Sequence, residues 1–223
     1  GGRQPVQANL RDDCNTESAM AFAVRGWVGS SADPEKDRRT AKNLLDFAWS
    51  HGGYVRPWMP GVIDPLGDSQ GLLAWSSTPD ASALYYTDDD ARALLAGFAT
   101  RSLLDSSQWD SVIANAVLAN LRMAGVNGFG PSSANFFDIE KNGWEHYHNM
   151  DNSGSTHVYS PHYQSYIWAV FLRAFSLFRY QPLYDRAFNA IAMMMKYYPS
   201  RWQPTANGIA MQRARMVLPL AWL

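Results

Sequence analysis

Seven stretches of the chain carry apolar residues three and four positions apart, a spacing that predicts amphipathic α-helices. The predicted helices cover residues 13–28, 34–51, 89–104, 109–123, 161–180, 182–196 and 207–223. The first six form three pairs with short connections, as in helical hairpins. Residues 54–87 and 125–160 are long segments rich in glycine, serine, asparagine and aromatic residues. The fifth helix is apolar nearly all round, so we expect it to be an inner helix.

The sequence therefore predicts one all-α domain over residues 1–223, built from helical hairpins, and no stretch gives a clear strand pattern. Hairpins arranged in a ring place their long connections at one end, where they form the floor of a cleft. An (α/α)6 toroid needs twelve helices, so the seven predicted here indicate an incomplete ring. Because the last residues are still apolar, we expect the chain to be an excerpt of a larger protein.

Composition excludes several classes of function. The chain has 19 basic and 20 acidic residues without a basic run, so a nucleic acid is not an expected partner and an uncharged ligand fits better. Arg173, Arg179 and Arg186 interrupt the longest apolar segments, so no membrane span is expected. A single cysteine excludes a multi-cysteine metal site, and no cofactor is expected.

Three consecutive aspartates, Asp88, Asp89 and Asp90, stand at the start of the third predicted helix. One acidic residue is enough to cap a helix, and Asp88 can serve that purpose. Successive side chains leave a helix about 100° apart, so the other two cannot share the same structural role. Arg92 follows within one helical turn, which also allows an ion pair on the helix surface. At least one aspartate is therefore a candidate for chemistry.

Other acidic residues collect at helix starts and in the long segments. They are Asp13, Glu17, Asp138, Glu140, Glu145 and Asp151. Hydrolysis of a glycosidic bond uses two carboxyl groups, one that protonates the leaving oxygen and one that acts as base or nucleophile. Clustered carboxylates allow this division of roles, because nearby negative charge raises the pKa of one of them. The alternative is that these residues are helix caps and surface charges.

Residues 143–151, which read GWEHYHNMD, form the densest polar and aromatic stretch. In an extended backbone, one side of this stretch carries Glu145 and Tyr147. The other side carries His146 and His148. A third ligand at a recognisable spacing is missing, so no metal is expected, and sugar hydroxyls match these donors and acceptors better.

Aromatic rings and further polar groups accompany this stretch. Tryptophans in loops can cover a core or act as platforms for sugar rings, and the presence of several favours the platform. They are Trp58, Trp75, Trp144 and Trp202. His162 and Tyr163 extend the polar set at the start of the fifth helix, and Arg215 on the last helix can reach the cleft if it is not used in an ion pair.

Six segments, in this order, resemble a bacterial family of predicted exported glycoside hydrolases with the six-hairpin, (α/α) toroid architecture. They read RDDCNTESAMAFA, LLAWSS, YYTDDDARALLAG, GWEHYHN, YSPHYQSYIWAVFL and NGIAMQRARMVLPLAWL. Related toroid glycosidases place acid and base carboxylates at the starts of inner helices, which implies such roles for Asp89 and Glu17. Family members tend to have asparagine in place of Asp90, which implies that Asp90 is not the essential group. The resemblance also implies a periplasmic or secreted protein.

We therefore expect a glycosidase that acts on an oligosaccharide or polysaccharide. Asp89 is the favoured general acid or base, with Asp88 as support and Glu17 or Glu145 as the second carboxyl. The expected sugar-binding residues are Trp75, Arg92, Trp144, His146, Tyr147, His148, His162 and Tyr163. These assignments require the aspartates and residues 143–151 to line a common cleft.

Two other functions fit the same residues. A polysaccharide lyase on the same architecture would use Tyr147 or His162 to remove a proton beside a uronate, while Asn149 and an arginine neutralise the carboxylate. A carbohydrate-binding or scaffold module would keep the cleft without catalysis.

Overall fold

The computed structural model describes residues 10–51, 55, 69–76, 84–147, 159–202 and 208–223. These residues form eight α-helices and a two-stranded antiparallel sheet. In chain order the elements are α1 (Asp12–Trp27), α2 (Pro34–Asp46), β1 (Leu84–Tyr86), α3 (Thr87–Leu104), α4 (Asp110–Met123), β2 (Ser133–Asn135), α5 (Phe136–Asn142), α6 (Pro161–Phe178), α7 (Gln181–Lys196) and α8 (Gly208–Trp222). A π-helical turn, Phe47–His51, follows α2, and a 3-10 helix, Trp144–Tyr147, follows α5.

The predicted all-α class is confirmed, and all seven predicted helices are present with ends shifted by a few residues. The sheet and the short helix α5 were not predicted. Across the described ranges, no helix has both the length and the apolar character that crossing a bilayer requires.

Helices α1 and α3 each begin where a short extended pairing ends. Arg11 forms an antiparallel bridge with Ser76, and α1 starts at the next residue. Similarly, β1 pairs with β2 up to Tyr86, and α3 starts at Thr87. The pairing fixes each start, since neither helix has a side-chain cap. Asp13 and Asp88, which the sequence allows as caps, therefore lie inside the helices instead.

Helices α1, α3, α6 and α8 pack side by side in that order and form a row. Helix α2 packs against α1, and α7 packs against α6. The main core lies between these helices and includes Leu45, Leu94, Trp168 and Phe171. Helix α6 is buried on most sides, which confirms the prediction of an inner helix.

The small sheet connects the two long segments. Tyr85 of β1 lies opposite Ala134 of β2, and its hydroxyl donates to Asn120 Oδ1 on α4 at 2.8 Å. Tyr85 also belongs to a second core, formed with parts of α4 and α5 and with residues 72 and 74. The long segments are therefore anchored to the helices at this sheet.

The 3-10 helix Trp144–Tyr147 corrects the prediction of an extended backbone for these four residues, while residues 148–151 lie outside the described residues. Gly143, at a φ of 78°, ends α5 and turns the chain. Tyr147 then packs into the second core, where it is 8% exposed. The alternating faces expected of an extended backbone do not apply to these four residues.

Candidate functional site

A polar cavity of about 300 Å³ opens where the N-terminal ends of α1, α3 and α6 meet the middle of α8. The lining residues are Arg11, Trp75, Tyr86, Asp88, Asp89, Arg92, His162, Tyr163 and Arg215. Six residues that the sequence predicted for the site are thus brought together here. They are Trp75, Asp88, Asp89, Arg92, His162 and Tyr163.

Asp89 has the proton affinity that a general acid needs. Its Oδ1 accepts hydrogen bonds from Arg11 Nη2 at 2.8 Å and from Arg92 Nη1 at 3.2 Å. Burial, followed by the negative charges of Asp88 and Asp13, nevertheless raises the pKa of Asp89 to about 7. Because both arginines bind Oδ1, Oδ2 is the oxygen that can carry the proton. A substantial fraction of the molecules therefore holds that proton at neutral pH.

Asp13 and Glu17 fix the two arginines beside Asp89. Asp13 is 1% exposed; it accepts hydrogen bonds from Arg11 Nε and Nη2 and lies 2.8 Å from Arg92 Nη1. Glu17 accepts hydrogen bonds from Arg92 Nε at 2.9 Å and Nη2 at 2.6 Å. Glu17 is not among the residues that line the cavity, so its carboxylate serves to hold Arg92.

Asp88 on α3 contacts residues of α6 and α8 at the cavity. Its Oδ2 accepts a hydrogen bond from Arg215 Nη1 at 3.2 Å and lies 3.5 Å from His162 Nε2. Arg215 Nη1 also donates to the carbonyl oxygen of His162 at 2.7 Å. Burial lowers the pKa of His162, so its imidazole is neutral at pH 7.

Asp90 faces the interior instead of the cavity. It is 3% exposed, and its Oδ2 accepts hydrogen bonds from Asn120 Nδ2 at 3.0 Å and from the backbone N–H of Leu73 at 3.3 Å. The three consecutive aspartates therefore have three separate sets of partners. Their different directions confirm that they do not share one capping role.

Asp12 is a second buried carboxyl close to Asp90. It is 3% exposed, and neither carboxyl oxygen makes a hydrogen bond of normal geometry with the described residues. Burial, followed by the charges of Asp90 and Asp13, raises the pKa of Asp12 well above its usual value. The pKa of Asp90 is likewise raised, mainly by burial. The folded protein thus favours the protonated form of both groups.

Replacement of Asp12 with asparagine should make folding stability less sensitive to rising pH. Since the folded-state pKa of Asp12 is raised, its contribution to stability is complete below the unfolded pKa near 4 and is lost as pH rises towards the folded pKa. Asparagine does not titrate, so as pH rises above the unfolded pKa the unfolding free energy of the variant should increase relative to that of the wild type, by up to about 1.4 kcal/mol per pH unit until the folded-state pKa is reached. Urea unfolding at several pH values measures this difference.

Asp110→Asn is the control for this comparison. Arg101 lowers the pKa of Asp110, so the contribution of that carboxylate changes only below about pH 4 and should be constant over the range tested. A stability difference between wild type and Asp12→Asn that does not change with pH would contradict a buried, protonated Asp12.

Aromatic rings flank the carboxyl groups. Trp75 and Tyr86 meet edge to face with ring centroids 5.5 Å apart, and the Arg11 guanidinium lies 5.2 Å from the centroid of the Trp75 ring. Tyr163 packs edge to face on His162 at 4.6 Å. The cavity therefore offers flat apolar faces beside groups that bind hydroxyls, a combination suited to a sugar ring.

The structure does not bring the 3-10 helix Trp144–Tyr147 into this cavity. Trp144 lines a second cavity of about 560 Å³, together with Arg122 and Arg186. Glu145 and His146 are exposed, and Tyr147 is held in the second core. The prediction that residues 143–151 and the aspartates line a common cleft is therefore wrong for residues 144–147. Tyr147 packs into the second core and keeps this turn out of the cavity. His148 lies outside the described residues.

No family model, curated protein or solved structure matches the chain. Among the residues that the structure describes, no group of three or more His, Cys, Asp or Glu side chains is arranged to hold a metal ion. Function is therefore inferred from the side chains of the polar cavity: two carboxyl groups, three arginines, a neutral histidine and three aromatic rings.

Three lining residues were not in the predicted site: Arg11, Tyr86 and Arg215. Arg11 and Tyr86 each directly precede a helix with acidic residues in its first turn. This position is the sequence feature from which their place in the site could have been predicted. The sequence places Arg215 on the last helix, within reach of the cleft. Its contact with Asp88 spans 127 positions of sequence, so the spacing of residues could not indicate it.

Proposed function

We propose that the chain is a glycoside hydrolase that acts on an oligosaccharide or polysaccharide, with Asp89 as its general acid. The observation that carries the proposal is a cavity with aromatic walls in which Asp89 and Asp88 lie next to each other, and burial together with neighbouring negative charge raises the pKa of Asp89 to about 7. A proton on Asp89 Oδ2 can be donated to the glycosidic oxygen as the bond from that oxygen to the anomeric carbon breaks.

Asp88 is the best candidate for the second carboxyl. It is the other acidic residue that lines the cavity, and its Oδ2 accepts a hydrogen bond from Arg215 and lies 3.5 Å from His162 Nε2. It would act as the base that activates water or as the nucleophile. The two alternatives from the sequence are less favourable, because Glu17 is bound by Arg92 and Glu145 is exposed beside α5.

The aromatic rings would bind the sugar. Trp75 and Tyr86 supply adjoining faces, and the Tyr163 hydroxyl and the His162 ring supply polar contacts on the α6 side. A ring bound between them would lie beside both carboxyl groups. Trp144 and His146 would then have no direct role at this cavity.

We also propose that the helices form an arc of an (α/α) toroid. The row α1, α3, α6 and α8 would supply inner helices, and α2, α4 and α7 would supply their outer partners. In support, the cavity lies at the N-terminal ends of three helices of that row. This is the placement that the sequence resemblance implies for toroid glycosidases.

A lyase is the second candidate, because His162 and Tyr163 lie in the same cavity. A neutral imidazole or a phenol can remove the proton beside a uronate carboxylate. The lyase version based on Tyr147 is less favourable, since Tyr147 is buried in the second core.

A panel of neutral and acidic glycans tests the proposal. New reducing ends without new ultraviolet absorbance indicate hydrolysis, whereas an unsaturated, absorbing product indicates a lyase. A binding module would retain glycans without producing either signal. Failure to cleave any neutral or acidic glycan would overturn the hydrolase proposal.

A further inference from the structure

The three arginines that line the cavity differ in how many of their donors the protein uses. Arg92 contacts carboxylates through Nε, Nη1 and Nη2. Arg11 contacts carboxylates through Nε and Nη2, and only Nη1 remains. Both guanidinium groups are therefore largely committed to the carboxylates around them.

Arg215 makes its hydrogen bonds through a single nitrogen. Its Nη1 donates to Asp88 Oδ2 and to the carbonyl oxygen of His162. In the part of the chain that the structure describes, Nε and Nη2 have no hydrogen-bond acceptor, and neither is sealed from solvent. The Arg215 side chain is only 14% exposed, and its guanidinium carbon lies 4.9 Å from the centroid of the Tyr166 ring. The Nε–Nη2 edge of Arg215, a partly buried residue that lines the cavity, thus has no acceptor among the described residues.

An edge with two parallel N–H groups matches the two oxygens of a carboxylate. Such charge-assisted pairs are among the strongest hydrogen bonds in proteins. The charges around the cavity nearly balance, because Asp13 and Glu17 pair with Arg11 and Arg92 and Asp88 pairs with Arg215. The preference for an anion therefore rests on the unpaired edge of Arg215 and not on net charge.

We propose that Arg215 binds the carboxylate of a sugar acid, so that the substrate carries a uronate residue next to the bond that is cleaved. This inference rests on the proposed function, because it names the substrate class of the same cavity. The carboxylate would pair with Nε and Nη2 of Arg215 beside His162. Its negative charge would also help Asp89 to retain its proton before transfer.

The proposal is tested by binding of small sugars to the whole protein, measured by calorimetry or by ligand-observed NMR. The probes are glucuronate and galacturonate, their methyl esters, glucose and galactose, and glucose 6-sulfate and glucose 6-phosphate. A uronate should bind about 10- to 100-fold more tightly than its methyl ester or the neutral sugar. Equal binding of acid, ester and neutral sugar would overturn the inference without any variant. Tighter binding of the sulfate or phosphate than of either uronate would overturn the assignment of a carboxylate.

Two variants assign the preference to Arg215. Arg215→Lys keeps the charge but loses the planar pair of donors, so the preference for uronates should fall by about 10-fold or more. Arg213→Lys is the matched control, because Arg213 is an exposed residue on the same helix, near Tyr198, and does not line the cavity. This control should keep the wild-type preference. An unchanged preference in Arg215→Lys, with a melting temperature like that of the control, would contradict the proposal.

The experiment also separates this inference from the proposed function. Hydrolysis of neutral glycans that depends on Asp89, without any preference for acids, would overturn the role of Arg215 and leave the hydrolase standing. Uronate binding that depends on Arg215, without cleavage of any glycan, would support the proposed binding site and overturn the hydrolase proposal.

Discussion

Asp89→Asn should lower the turnover number for glycan hydrolysis by about 10²- to 10⁴-fold, the usual contribution of a general acid. The amide cannot donate a proton from Oδ2, but its oxygen can still accept the hydrogen bonds of Arg11 and Arg92. The cavity should therefore keep its shape and bind the glycan with little change in affinity. Release of reducing ends measures turnover, and a binding titration on the same variant measures affinity.

Wild-type activity should also fall above about pH 7. The pKa of Asp89 is raised to about 7, so the group loses its catalytic proton as pH rises through that value. The alkaline limb of the kcat/KM profile reports this loss, because it reflects the free enzyme. Asp110→Asn is the control variant, since Asp110 also lies in the first turn of a helix but is paired with Arg101 outside the cavity. Full turnover in Asp89→Asn would exclude Asp89 as the acid.

Gly128→Ala should destabilise the fold by about 3 kcal/mol or more. Gly128 has a φ of 83°, and a Cβ at this position would meet the carbonyl oxygen of Arg186 and would lie 2.9 Å from Cβ of Ala190. Its own carbonyl accepts a hydrogen bond from Trp168 Nε1 at 2.8 Å, which anchors this turn to α6. The midpoint of urea unfolding measures the loss.

Gly29→Ala distinguishes the energetic cost of a steric clash from the cost of a left-handed backbone conformation. Gly29 also has a positive φ, 70°, but a Cβ there would meet nothing within 4 Å. This variant should therefore carry only the cost of the left-handed conformation, about 1 kcal/mol. Equal destabilisation by the two substitutions would show that the contact with α7 at Gly128 can relax.

The spacing of apolar residues was sufficient to predict the helices and the central position of α6, because burial of one face or of all faces is visible in local sequence. The start of α3 was not predictable in this way. It depends on the pairing of Tyr86 with Ser133, and a strand of three residues has too little pattern to indicate a partner so far along the chain. The same reasoning applies to α1, whose start follows the bridge between Arg11 and Ser76.

The cavity was predictable in part. The run of aspartates signalled chemistry because consecutive helical positions point in different directions, and the structure directs Asp88 and Asp89 to the cavity and Asp90 to the interior. Residues 144–147 looked equally suitable by composition. Their location was decided by the packing of Tyr147 against the second core, a tertiary contact that the density of polar residues does not reveal.

A crystal structure of Asp89→Asn with a glycan that the wild type cleaves tests the central claim most directly. We predict the scissile glycosidic oxygen within hydrogen-bonding distance of residue 89, with one sugar ring against Trp75 or Tyr86. A glycan bound instead in the cavity lined by Trp144, Arg122 and Arg186, remote from residue 89, would contradict the assignment of this site.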